Sequence, residues 1–153
     1  MNLISLFVSL QFLLFATCED IETYKIPNIL TYSHMIFGGI YAYQLGYSIK
    51  DILVAIIIFV IFGLLGLMGM GDVKMYIALS LLNGTKNVLQ ILLLSLVLLV
   101  TYCLIFKTDH FTKSIINLKN NKLKSAIKDS SNKYPFALFT YMGYLLFAIL
   151  SLI

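Results

Sequence analysis

ILVAIIIFVIFGLLGLMGMGDVKMYIALSLLN, residues 52–83, decides the fold class. Its only charged residues are Asp72 and Lys74, which follow Gly69 and Gly71 in the segment GMGDVK at 69–74. A carboxylate at membrane depth costs roughly 3 kcal/mol on insertion scales, so an acid in such a run marks function by default. The plainer explanation is an interfacial aspartate that pairs with Lys74 or caps the helix beginning there. The two glycines favour function further. They permit a break in the helix and the close approach of another backbone, which a peptide substrate would require.

Working outward, apolar runs lie near 2–18, 29–47, 52–68, 73–82, 88–106 and 135–153. The fourth is short and opens on the glycine–aspartate break. Irregular backbone at membrane depth is tolerated only where it is buried in protein or lines a wet cavity. Across the 153 residues 60% are apolar and 12% charged, and mean hydropathy is +0.93. A soluble domain carries about 25% charged residues, and a spanning helix needs about 20 apolar ones. The sequence therefore predicts one all-α domain over 1–153, a polytopic membrane protein of about six transmembrane helices with a short, broken fourth span. Pro27 and Pro135 stand where helices would begin, and Asn83-Gly84 marks a tight turn between spans four and five.

Lysine placement sets the orientation. Every one of the 11 basic residues is a lysine, and seven fall between 107 and 133. With six spans the odd-numbered loops share a side, and they hold Lys25, the approach to Lys74 and the lysine-rich tract, so that side is cytoplasmic. Both termini then face outward and Asp20 and Asp72 meet one face. The tract also suits anionic lipid, and residues 109–129 could form a basic amphipathic helix on the leaflet or a solvated linker. Nucleic-acid binding is excluded as a reading, because the basic stretch is short and has little aromatic interleaving. Residues 2–17 lack both a basic start and a small-residue cleavage signature, so they read as a retained first helix. Cys18 and Cys103 are too isolated for a disulfide framework, and no histidine or cysteine cluster has ligand spacing, so no metal and no cofactor is expected.

Of the seven acids, Asp51, Asp109 and Asp129 sit in polar loop sequence. Asp20, in EDIETYKIPN at 19–28, gains meaning beside Asp72. Two carboxylates sharing a site cannot easily both ionise, so one stays protonated while the other acts as a base. That division is the chemistry of aspartic proteolysis: one activates water, and its partner hydrogen-bonds the scissile carbonyl and assists the leaving amine. Lys74 could tune Asp72 or merely snorkel, Glu19 and Glu22 could attract a basic peptide or be solvated, and His34 reads as structural.

Asp20 followed by Ile26-Pro27-Asn28, then Gly69-x-Gly71-Asp72-Val73-Lys74 at a later span, and Tyr134-Pro135-Phe136-Ala137-Leu138 at the last, resemble the type IV prepilin and preflagellin peptidase family. The resemblance covers almost the whole chain. It implies a six-span membrane enzyme with catalytic Asp20 and Asp72, supported by Gly69, Gly71, Lys74, Ile26, Pro27 and Asn28. It further implies partners that are prepilin-like precursors with a basic leader before an apolar helix, cut at the cytoplasmic face in a pilus or secretion system. The extra cysteine-bearing region of larger members is missing from this sequence, which resembles the short peptidase-only form without methyltransferase activity. A rival class is a small carrier or channel component, with Asp72, Lys74 and His34 along an ion or proton path. A third is a catalytically silent scaffold.

Overall fold

Among the described residues, six stretches satisfy their backbone hydrogen bonds as helices. The computed structural model describes residues 2–106 and 135–151 and forms α1 (Leu3–Thr23), α2 (Asn28–Gln44), α3 (Ile49–Leu64), α4 (Met70–Asn83), α5 (Thr85–Phe106) and α6 (Phe136–Leu150). No strand occurs among the described residues. Each apolar run thus becomes one helix. The amphipathic segment at 109–129 and the lysine tract lie outside the described residues.

Local chemistry accounts for the boundaries. Pro27 precedes α2 and Pro135 precedes α6, both in extended backbone that feeds a first turn where a missing N–H costs little. Ser48 starts α3, its hydroxyl accepting from the Lys50 N–H at 3.3 Å, with Asp51 in the first turn beside the positive end of the helix. At the end of α4, Gly84 takes φ +81°, which lets the chain reverse from Asn83 into α5 within one residue. The break expected inside the fourth span falls before it. α4 runs unbroken from Met70, so Gly71 and Asp72 belong to its first turn, and residues 65–69 carry the irregular backbone.

α4 is the inner helix. Its Met75, Tyr76, Ala78, Leu79 and Leu82 are fully buried, and it packs against α1, α2, α3 and α5. Small residues bring the neighbours in. A Cβ built on Gly38 of α2 would stand 2.9 Å from Leu81 Cβ, one on Gly63 of α3 2.9 Å from Val73 Cγ2, and one on Gly143 of α6 3.0 Å from the Ser95 nitrogen of α5. Such approaches are how helices pack where lipid gives no hydrophobic drive between them.

Two polar cross-links run through this interior. Tyr76 bonds Ser95 at 2.9 Å and Thr140 at 3.0 Å, joining α4, α5 and α6. Near the other end of α4, Asn83 donates to Ser9 at 2.8 Å and accepts from the Tyr144 hydroxyl at 3.0 Å, joining α4, α1 and α6.

The outside is apolar. Leu3, Phe7 and Phe15 of α1 and Leu93, Val97 and Ile105 of α5 are exposed. Among the described residues, α1 and α5 are the two helices long and apolar enough to cross a membrane by length and composition, and α6 is apolar but shorter. These features support a membrane location.

Candidate active site

Asp20 lies in the last full turn of α1, which continues past the apolar run to Thr23. Its backbone carbonyl accepts from the Tyr24 N–H at 3.0 Å, and Tyr24 adopts φ +53°, a left-handed conformation uncommon for a non-glycine residue, which ends the helix sharply. The side chain turns inward and is only 7% exposed. A helix begun by Pro135 has no side-chain cap of its own, yet its first N–H groups require acceptors. Asp20 supplies one from a distant part of the chain: its Oδ2 accepts the Ala137 N–H at 2.9 Å. The positive end of α6 thereby faces the carboxylate.

Asp72 is the third residue of α4, and its carboxylate lies back beside Gly69, the residue before the helix. A Cβ built on Gly69 would lie 3.1 Å from Asp72 Oδ2, so the missing side chain leaves room for the carboxylate itself. Asp20 and Asp72 are near enough for the charge of one to act on the other. Tyr76, one turn further along α4, also feels Asp72. Asp20, at the end of α1, and Asp72, at the start of α4, thus lie at the same end of the bundle.

The supporting residues gather around the start of α4. Ile26 is buried against Gly71, where an added Cβ would meet the Ile26 nitrogen and Cβ at 3.7 Å. Pro27 ends the connection, and Asn28 opens α2. Lys74 reaches across to α2. It turns from Asp72 to Asn28, donating to Oδ1 at 2.8 Å, with its ammonium 5.1 Å from the centre of the Tyr32 ring. The room at Gly71 that the sequence suggested for a substrate is taken by Ile26 of the same chain.

His34 stacks on Phe12 with ring centroids 4.2 Å apart and its Nδ1 meets the Leu30 carbonyl at 2.9 Å, a packing role. No hydrogen bond joins Asp72, Lys74 and His34 into a relay among the described residues. Nor does any group of three His, Cys, Asp or Glu side chains come together there as a metal-holding set. Two features were not visible in sequence. One is the Ala137 N–H, a backbone donor with no residue-type signal. The other is Thr17, one turn before Asp20, whose buried hydroxyl has no hydrogen-bond partner among the described residues. Beside the site, Phe15, Glu19, Pro27, Ile29, Leu30 and Ser33 line a groove of about 310 Å³ between α1 and α2.

Fold and site define an all-helical, apolar-surfaced protein with two carboxylates at one end of the bundle. Residues 7–104 match the type IV leader peptidase family, and the chain belongs to that family. The match takes in both aspartates and stops before α6. Membership implies peptidase activity. No curated protein and no solved structure gives a significant match.

Proposed function

We propose that the protein is a membrane-embedded aspartic endopeptidase that removes short basic leaders from type IV pilin-like precursors at the cytoplasmic face. The observation that carries this reading is the placement of Asp20 and Asp72, 52 residues apart in sequence, at one end of the bundle, with Asp20 bound to the Ala137 N–H and close enough for its charge to act on Asp72. One ionised carboxylate takes a proton from water as the oxygen attacks the scissile carbonyl carbon. The other, protonated, hydrogen-bonds the carbonyl oxygen. Collapse of the tetrahedral intermediate breaks the C–N bond, and the amine leaves with a proton from the pair. The reaction as written consumes one water and needs no cofactor or metal.

The groove at Glu19 is suited to a basic leader next to the scissile bond, and the apolar surface of α1 and α2 to the helix that follows it. All six helices are taken to cross the bilayer. α2, α3, α4 and α6, at 14 to 17 residues, are short for a span of about 20, which a locally thinned bilayer or tilted packing accommodates. Lysine placement keeps the 107–133 tract cytoplasmic and free to meet anionic lipid. Labelling of cysteines introduced at Ser125 and Thr85 from opposite sides of the membrane checks this topology. The functional test is co-expression with candidate precursors, read by mobility shift and N-terminal sequencing. Release of a short basic leader supports the reading, and precursors that stay intact beside well-inserted protein contradict it.

A further inference from the structure

The connection from α1 to α2 touches the first turn of α4 at two points, one on each side of Asp72. Ile26 lies on Gly71, and Asn28 holds Lys74. The same connection leaves α1 four residues after Asp20, through the left-handed Tyr24. The end of one aspartate's helix is thus tied, through a short covalent path and two contacts, to the start of the other's. Further along the two helices, Gly38 of α2 meets Ala78, Leu81 and Leu82 of α4. Near Asp72 itself, the Lys74–Asn28 bond is the polar tie between them. Its chemistry is also informative. Lys74 is two residues from a carboxylate, yet its ammonium is spent on a neutral amide oxygen and the face of Tyr32, so it braces α4 without neutralising Asp72.

We propose that Lys74 and Asn28 form a strut, steadied by Tyr32, that fixes the start of α4 relative to the end of α1 and so sets the spacing of Asp20 and Asp72. Both are positioning residues: neither touches a carboxylate, and each acts through the placement of Asp72. The catalytic part of this inference rests on the peptidase reading above, whereas the geometric part does not.

The test uses the full chain with Cys18 and Cys103 replaced by serine and spin labels at the exposed positions Glu19 and Met70. The intact strut gives a narrow label–label distance distribution, and Lys74→Gln and Asn28→Ala each broaden it. In unlabelled enzyme the same two variants lower kcat roughly ten- to a hundred-fold, the scale on which small misplacements of catalytic groups act. KM stays within about two-fold, because substrate binding is untouched. Lys74→Arg, which can still donate to Asn28 and stack on Tyr32, recovers most of the loss, and the double variant is no worse than either single one. Unchanged distances in both single variants, or wild-type kcat in either, overturns the strut. Failure of the unaltered enzyme to cleave any precursor counts against the peptidase reading instead, and the distance measurement still decides the strut. Should Lys74→Gln fail to accumulate, Asn28→Ala supplies the same readouts.

Discussion

Gly69 has φ −65° and ψ 150°, a backbone that any residue adopts, so its lack of a side chain concerns space. With Asp72 Oδ2 only 3.1 Å from where a methyl would sit, Gly69→Ala must shift the carboxylate by a few tenths of an ångström. Precursor cleavage is predicted to fall roughly ten-fold, while stability moves by less than about 1 kcal/mol. Cleavage kinetics beside a melting curve check both, and unaltered kcat would show that the space is not needed. Asp72 stood out in the sequence because a charge inside an apolar run is costly and therefore conspicuous, whereas Asp20, at the end of a run, gained meaning only beside it. Lys74 was legible as a residue but not as a contact, since its partner lies 46 positions away. Ala137 and Thr17 were not legible. A backbone N–H carries no identity, and a lone threonine in a membrane helix commonly bonds its own preceding turn.

Among the elements, α4 shows what hydropathy can and cannot give. Its existence and shortness followed from the apolar run, and Asn83-Gly84 fixed its end. Its start came out three residues before the predicted 73, because Gly71 and Asp72 join the first turn although they interrupt the apolar pattern. The polar cross-links were hidden because serines, threonines and tyrosines spread through apolar sequence give no periodic signal. Their energetics differ in a testable way. Tyr76→Phe removes one hydroxyl, but Ser95 still bonds Ile91 and Leu92 carbonyls and Thr140 still bonds that of Phe136. The expected cost is about 1 kcal/mol. Asn83→Leu removes a donor from Ser9 and an acceptor from Tyr144 at once, although those two keep their contact with each other, and is predicted to cost about 1 kcal/mol more than Tyr76→Phe. Unfolding in detergent compares them, and equal destabilisation would contradict this account.

At the scale of the molecule, the order of helices turns a linear pattern into a site. α4 occupies the centre, α1 and α6 meet beside it, and Asp20 spans the two by capping α6 while facing Asp72. Composition alone pointed to helices and to a membrane. It was the pairing of two isolated acids at one end, and membership of the type IV leader peptidase family across residues 7–104, that pointed to proteolysis. The central claim is that the two carboxylates work as one unit. Asparagine keeps the shape of each side chain and removes the titratable group, so the decisive measurement is the rate of leader removal by Asp20→Asn, Asp72→Asn and the double variant, normalised to inserted protein. Each single variant is predicted to lose cleavage by at least about a thousand-fold with abundance preserved, and the double variant to be about as inactive as either, since members of one catalytic unit fail together. Robust cleavage by well-inserted Asp72→Asn protein would contradict the account.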